Sequence, residues 1–531
     1  MSVKILVSDK LSNDGLDILK ASGFPVVMKP GMTEDELCKE IVDYDALIIR
    51  SGTKVTRKVI DAAKKLRLIG RAGVGVDNVD IPYATEKGIL IMNTPTANIL
   101  SAAEHTCAMI MSLARNIPFA HKSMHEGKWD RSKFTGVELN GKVLGIIGVG
   151  RVGGEVAKRL KPFNMTMIGY DPFLPREVAD SLGVKLYDNP EEIYKQADFM
   201  TIHTPLLPST KNMISMPQFK MMKPSARLAN VARGGIVNED DLYTALKEKI
   251  IAGAAFDVWC NEPLDESEQK LLELDNLVTT PHLGASTEEA QVRVAVDVAE
   301  AAVKYLKEGI ITNAINAPRG KLAPEAAPFV PLAEGMGTFI HNINGSKPIN
   351  EMQVIYFGGL ADMDNKLLTV SAVKGVIKGI VGKDGANIIN ALPVAKAKGI
   401  EVSESKSDAP AGYSNAIEIR IKSEGKASCV RGTVFGEEPR LVHYNGYAFN
   451  VPMAGDLVFV TYKDVTGVVG KVGSILGEEN INIQQMAVSM KEGSDIALMV
   501  IAVDQPVADA VTDKIAKALG GTAKFVDLTD N

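Results

Sequence analysis

A short apolar run, Lys142 to Ile147, opens directly into Gly148-Val149-Gly150-Arg151-Val152-Gly153. A helical pattern follows from Glu155 to Leu160 and stops near Pro162. A second strand-like run, Met165 to Tyr170, ends at Asp171, 18 positions after the last Gly. Strand, G-x-G-x-x-G, helix, strand and acid, in that order and near that spacing, predict a dinucleotide-binding βαβ unit in a doubly wound parallel sheet. Gly148 permits the tight turn. Gly150 lets the backbone approach a pyrophosphate, and Gly153 lets helix and strand pack closely. The helix N-terminus turns free N–H groups and its positive dipole end towards the phosphates. Asp171 is expected to hydrogen-bond a ribose 2′-OH and to repel a 2′-phosphate, which favours NAD over NADP.

The rest of the chain must accommodate that unit. Its 531 residues suggest three or four domains. A net charge of −6 leaves no basic footprint for nucleic acid. Cys38, Cys107, Cys260 and Cys429 are scattered, with no C-x-x-C, which argues against a disulfide framework or a metal site and for a reducing compartment. Met1-Ser2-Val3-Lys4 leads into a strand without a signal-peptide pattern, and no apolar run reaches the ~20 residues of a membrane helix. The expected location is the cytoplasm, with no membrane partner.

Residues 1 to 97 read as an open α/β sheet, with strands at Ile5-Leu6-Val7, Ala46 to Ile49 and Leu68 to Gly70 and helices at Thr33 to Val42 and Thr56 to Lys64. After a break at Asn93 to Asn98, Ser101-Ala102-Ala103-Glu104 has the form of a capping box opening a helix to about Ala114. Six strands are expected in the cofactor half, at 143–147, 165–170, 198–202, 226–231, 252–257 and 277–280. Ser286-Thr287-Glu288-Glu289 reads as a second capping box. Its helix runs to about Leu306, with Val292, Val294, Val296, Val298 and Val303 towards its buried side, and is placed to return the chain to the first domain. Ala317 to Pro331 reads as a linker. Residues 455 to 531 have the order βαββαβ, a ferredoxin-like arrangement.

Three motifs follow successive predicted strands of the cofactor half: Asn230-Val231-Ala232-Arg233-Gly234-Gly235, Phe256-Asp257-Val258-Trp259-Cys260-Asn261-Glu262-Pro263 and Thr280-Pro281-His282-Leu283-Gly284-Ala285-Ser286-Thr287. The ligand crevice of such a sheet lies outside its strand carboxyl ends. Arg233, Glu262 and His282 can therefore converge although 29 and 20 positions separate them. Hydride transfer at a hydroxyl-bearing carbon needs a proton acceptor, and an imidazole titrates in the right range. A carboxylate on its far nitrogen fixes the tautomer, and a guanidinium suits a substrate carboxylate. The substrate class is a 2-hydroxy or 2-oxo acid.

At these residues the chain resembles the D-isomer-specific 2-hydroxyacid dehydrogenases, over residues 1 to 316, and within them the long type with two further C-terminal domains. The resemblance implies four units. They are a flavodoxin-like, discontinuous substrate domain (1–98 and 286–316), a Rossmann NAD domain (99–285), an α+β intervening domain (317–452) and a C-terminal ACT domain (455–531). It implies oxidation of 3-phospho-D-glycerate to 3-phosphooxypyruvate, the first step of L-serine synthesis, with His282 as proton donor and acceptor. Cofactor contacts are implied at Arg151, Val152, Asp171, Thr204, Val231 and Asp257, the last near the carboxamide. Val74 aligns with a position that is often Thr, so a side-chain hydrogen bond there is lost.

Substrate contacts are implied at Arg50-Ser51-Gly52 and at Arg71-Ala72-Gly73-Val74-Gly75, as anion-binding loops. Asn98 falls at the hinge, and Arg131 lies in a segment expected at a dimer interface. In the ACT-like unit, Tyr462, Asp464 and Asn482 are implied as the effector site, with L-serine the expected effector. The usual Pro before Gly467 is Thr466 here. A homo-oligomer, dimer or tetramer, is expected. Two rival readings stand beside this one: another D-2-hydroxyacid dehydrogenase, such as a glyoxylate or hydroxypyruvate reductase, and a non-catalytic NAD-sensing scaffold.

Overall fold

The computed structural model describes residues 3–318, 323–345, 347–382, 385–407 and 412–528. The first sheet contains β1 (Ile5–Val7), β2 (Val26–Met28), β3 (Ala46–Ile49), β4 (Leu68–Arg71) and β5 (Leu90–Met92), in the order β2-β1-β3-β4-β5 and all parallel. This is the flavodoxin-like order. Every residue of β1, β3 and β5 is buried, which explains their unbroken apolar runs. The sequence reading lacked β2 and β5, each only three residues long.

The helix Glu288–Glu308 packs on this sheet, not on the one that precedes it in sequence. Val294, Ala295, Val298 and Ala299 share a core with Ile5, Val7, Leu16 and Leu68. The fit is close enough that a Cβ at Gly15 would lie 2.6 Å from the Ala295 carbonyl oxygen. Val292, expected on the buried side, is 38% exposed. The cap also sits one residue later than expected. Thr287 is the N-cap and accepts from the Ala290 N–H, so Ser286 and Glu289 form no box.

The second sheet has seven parallel strands, one more than expected: β6 (Val143–Ile147), β7 (Thr166–Tyr170), β8 (Lys185–Leu186), β9 (Phe199–Ile202), β10 (Arg227–Asn230), β11 (Gly253–Phe256) and β12 (Leu277–Thr279). Their order is β12-β11-β10-β9-β6-β7-β8. The extra strand, β8, has two residues and no periodicity to read. The helix Ile99–Ala114 covers this sheet. Asn98 is its N-cap, so the expected box at Ser101 does not form. The Ser101 hydroxyl instead donates to the Gly284 carbonyl at 2.8 Å.

Of the expected linker, residues 319–322 lie outside the described residues, and its last part belongs to the helix Phe329–Asn344. That helix crosses Lys366–Val381 closely. A Cβ at Gly337 would stand 2.0 Å from the Ala372 oxygen, and one at Gly375 2.1 Å from the Glu334 oxygen. Both helices pack under a six-stranded mixed sheet, β14-β13-β15-β16-β17-β18: β13 Glu351–Gly358, β14 Glu401–Ser407, β15 Asn415–Ser423, β16 Lys426–Phe435, β17 Glu438–Tyr444 and β18 Tyr447–Pro452. This unit docks on the first one. Ile389 is 6% exposed within the first unit's core, and Asn387 Nδ2 donates to the Gly88 carbonyl at 2.8 Å.

The last sheet, in the order β20-β21-β19-β22, has β19 (Gly455–Lys463), β20 (Ile483–Met490), β21 (Ile496–Val503) and β22 (Thr522–Leu528), all antiparallel. Helices Val468–Glu478 and Asp509–Leu519 complete the expected βαββαβ order.

Candidate active site

Parallel register aligns the strand ends. Asn230 on β10 pairs with Phe256 on β11, and Phe256 pairs with Thr279 on β12. Arg233, Glu262 and His282 follow those three ends within three to six residues. The nucleotide turn sits at the same edge, because β6 pairs with β9 and β9 with β10.

In the turn, Gly148 has φ +88°, and a Cβ there would stand 2.8 Å from the His203 oxygen. A Cβ at Gly153 would lie 2.2 Å from the Gly148 oxygen, whereas nothing lies near Gly150. The middle glycine therefore faces open space, as a site for a pyrophosphate requires. Asp171 accepts from the Val149 N–H at 3.1 Å and the Phe173 N–H at 3.0 Å, which orients its carboxylate at the end of β7. The Thr204 hydroxyl is buried without a partner, a group waiting for an acceptor or donor. Beside it His203 is held neutral: burial pushes its pKa down to about 3. Val231 is buried, and Arg151 reaches across to the Pro95 carbonyl at 3.4 Å. These residues fit a bound dinucleotide.

His282 Nδ1 and Glu262 Oε2 are 2.7 Å apart. Burial works to raise the Glu262 pKa, but the His282 hydrogen bond and the Trp259 N–H, 3.1 Å from Oε1, carry it below the ordinary value. An ionised Glu262 accepts the Nδ1 proton, which leaves His282 Nε2 free to exchange a proton with substrate. His282 itself has φ +57°, a left-handed conformation uncommon for a residue with a side chain. Asp257 holds it there. Its carbonyl accepts the His282 N–H at 2.8 Å, and its carboxylate accepts the Leu283 and Gly284 N–H groups at 2.7 and 2.8 Å. Asp257 is 0% exposed, and the Thr280 hydroxyl also donates to it at 2.6 Å. The structure thus gives Asp257 a loop-holding role beside its expected place near a carboxamide, with Oδ2 accepting only the Gly284 N–H among the described residues.

The first sheet supplies cations. Arg50 follows β3, and Arg71 ends β4 in register with Ile49. Burial first, then the neighbouring Arg233 and Arg50, bring the Arg71 pKa down to about 10. The Nε groups of Arg50 and Arg71 are buried without acceptors. Three guanidinium groups crowd one place, with few carboxylates among them. Arg233 bridges the two units: its Nε donates to Asp77 at 3.2 Å, and a Cβ at Gly75 would lie 2.2 Å from its Nη2. Gly73 has φ +144°, a backbone region that residues with side chains rarely adopt, and a Cβ there would stand 1.4 Å from Arg71 Nη1 and displace that guanidinium.

One expectation needs correction. The Arg50 N–H is not available to a ligand, because Asp9 accepts it at 2.6 Å together with that of Thr53 at 3.1 Å. Ser51 and Gly52 carry the loop's remaining N–H groups, and Asn78 clamps the loop by donating to the Arg50 and Thr53 carbonyls. Asp9 and Asn78 were missed, because a lone acid after a strand carries no signal of its own. So was His105, whose Nε2 lies 3.2 Å from Asp257. Val74 is half-buried and its carbonyl accepts from Asn93. Arg131 opens a short exposed 3-10 turn beside Trp129, itself 75% exposed.

The three effector residues do not meet within one chain. Tyr462 pairs with Ala497, which pairs with Met490, so it lies level with the end of β20. Asn482 precedes the start of β20, whose first residue, Ile483, pairs with Val503. Seven strand steps, roughly 23 Å, separate the two levels. Tyr462 is also buried in the helix-covered core, whereas Asp464 is exposed.

Comparison with known proteins agrees with this architecture. Residues 107–284 match the D-isomer specific 2-hydroxyacid dehydrogenase NAD binding domain, residues 325–445 the D-3-phosphoglycerate dehydrogenase intervening domain, and residues 457–520 the ACT domain. The D-3-phosphoglycerate dehydrogenase of Methanocaldococcus jannaschii is 43% identical over 520 residues, 97% of each chain. That of Bacillus subtilis is 38% identical over 99% of this chain and 98% of its own. The human enzyme is 42% identical over 89% of each. Among solved structures, TT0316 from Thermus thermophilus superposes with a TM-score of 0.54 at 31% identity, covering 59% of this chain and all of that one. Aquifex aeolicus D-lactate dehydrogenase, solved with NAD and lactic acid, gives 0.54 at 26% identity over 60% of this chain and all of its own. The fold, the cleft and these relatives together establish that the chain belongs to the D-3-phosphoglycerate dehydrogenase family, NAD-dependent oxidoreductases with an ACT domain.

Proposed function

We propose that this chain oxidises 3-phospho-D-glycerate to 3-phosphooxypyruvate with NAD, the first step of L-serine synthesis. The observation that carries this reading is the cluster of Arg233 with Arg50 and Arg71, the last two each with a buried unpartnered Nε–H, at the cleft that holds the His282–Glu262 pair. A substrate with both a carboxylate and a phosphate matches that surplus of donors better than a small unphosphorylated acid. NAD, when bound at the Gly148–Gly153 turn, supplies the hydride acceptor. Arg233 orients the carboxylate and polarises the adjacent oxygen. His282 Nε2 takes the hydroxyl proton as the carbon loses its hydride, and Glu262 stabilises the imidazolium that results. The test is NADH absorbance with 3-phosphoglycerate, with D-lactate and D-glycerate as unphosphorylated controls. Reduction of NAD with the controls but not with the phosphorylated acid would overturn the substrate assignment.

The effector site is assigned to two copies of the chain. Two ACT units related by a two-fold axis, with their β20 edges antiparallel, bring Asn482 of one to the sheet end that carries Tyr462 and Asp464 of the other. Val465, Val469, Val488 and Met490, each 46–56% exposed, form an apolar surface at that end. Such a surface suits a second copy. L-serine is the proposed effector, with Asp464 for its ammonium and Asn482 for its carboxylate or hydroxyl. Adding serine to the assay tests the regulation. Sedimentation tests the homo-oligomer.

A further inference from the structure

Glu262 on His282 is one imidazole–carboxylate pair at this edge. A second stands behind it. His105 lies on the helix Ile99–Ala114, one turn after Ser101, and both side chains reach the segment that carries His282. Ser101 donates to the Gly284 carbonyl at 2.8 Å, while His105 Nε2 is 3.1 Å from the Thr280 hydroxyl and 3.2 Å from Asp257 Oδ1. The single Thr280 proton is committed to Asp257 at 2.6 Å. His105 must therefore present an N–H at Nε2, since an unprotonated nitrogen would face two acceptors.

We propose that His105 is a positioning residue of the reaction, which acts through Asp257 to hold the Thr280–Gly284 segment and, within it, the left-handed turn at His282. The physical chain is short. A buried carboxylate persists only if donors satisfy it. Asp257 has four, from His105, Thr280, Leu283 and Gly284, and two of these are the backbone groups that follow His282. Burial works to raise the Asp257 pKa. The His105 and Thr280 hydrogen bonds together with the Leu283 N–H outweigh it and keep the group ionised. Without the His105 N–H, Asp257 is protonated at a higher pH. A protonated Asp257 is a poorer acceptor for the Leu283 and Gly284 N–H groups, and the turn at His282 relaxes. The titratable groups facing Asp257 are His105 from the helix and Glu262, with its partner His282, from the neighbouring loop.

This inference rests on the proposed dehydrogenase activity, so wild type is assayed first. Absence of NAD reduction there defeats the activity reading. Otherwise His105→Ala and His105→Gln are compared with wild type in kcat, KM and the pH profile of kcat/KM, with NADH affinity as a check on the cofactor site. Gln retains an N–H where Nε2 stood. His105→Ala is expected to lower kcat on the order of 10–100-fold, with KM and NADH affinity little changed. The acid limb of the wild-type profile belongs to His282, which must be unprotonated to take the hydroxyl proton. In the Ala variant the loss of ionised Asp257 as pH falls through its raised pKa should steepen that limb or carry it to higher pH. His105→Gln is expected to recover most of kcat and to return the limb. An unmoved limb and unchanged kcat in His105→Ala would overturn the proposal, and so would a Gln variant as impaired as Ala. Should the Ala variant fail to fold, His105→Leu, which keeps bulk but has no N–H, takes its place under the same criteria: a lowered kcat that His105→Gln recovers supports the role, and an unchanged kcat removes it.

Discussion

The cleft at residues 142 to 284 and the ACT unit at 455 to 528 both read from motifs, yet one chain completes the first and leaves the second split. The reason is strand direction. In the seven-stranded sheet every strand is parallel, so the loops after β6, β9, β10, β11 and β12 all emerge at one edge. In the ACT sheet β19 runs antiparallel to β21, and β21 to β20. The turn after β19 and the turn before β20 therefore lie at opposite ends. Motif residues converge in the first case by topology alone, whereas in the second one chain holds them apart and the proposed site needs a neighbour.

The comparison breaks most visibly at His282. His282→Ala is expected to lower kcat by roughly 10²–10⁴-fold, with NAD affinity nearly unchanged. A full rate in that variant would remove the proton-transfer role. Next comes Arg71→Ala. Hydrogen bonds to charged groups contribute about 1.5–3 kcal/mol, so KM for the phosphorylated acid should rise roughly 10–100-fold while kcat moves less. An unchanged KM would place the phosphate elsewhere. Asp171→Ala should weaken NAD binding by about tenfold and narrow the preference over NADP, as titration of both cofactors will show.

The smallest effect is the sharpest discriminator between the two regions. Mixed oligomers of Asp464→Ala and Asn482→Ala chains should regain serine binding at about half their sites, since each pairing joins one intact half from each chain. Mixed oligomers of His282→Ala and Arg233→Ala should regain no turnover. Recovery in the second mixture, or none in the first, would reverse the contrast.

Much of the cleft was legible because its residues sit in loops whose chemistry shows in the letters. Gly148 and Gly153 are readable since a Cβ at either would meet backbone, Gly150 since it completes the G-x-G-x-x-G pattern and leaves open space, and Glu262 and His282 stand in Pro- and Gly-bounded segments. Asp9, Asn78 and His105 were not legible. Each acts on a partner distant in sequence, Asp9 on Arg50, Asn78 on Arg50 and Thr53, His105 on Asp257. A single polar residue on an amphipathic helix or after a strand looks like any other. The expected boxes at Ser101 and Ser286 failed for the same reason. The Ser101 hydroxyl reached a better acceptor across the fold, at Gly284, and Thr287 took the cap.

From sequence alone came the βαβ turn at Lys142–Asp171, the placing of Asp171 at its second strand end, the three strand-end motifs and the βαββαβ order of the last unit, since these follow from local periodicity and residue chemistry. Tertiary structure decided that Glu288–Glu308 packs on the first sheet and that the Arg50 N–H belongs to Asp9. It also decided that Asp257 holds a loop, with His105 behind it, and that Tyr462 and Asn482 lie a sheet's length apart. Those outcomes depend on which surfaces meet and on which donors find a nearer acceptor, and neither is written in local sequence.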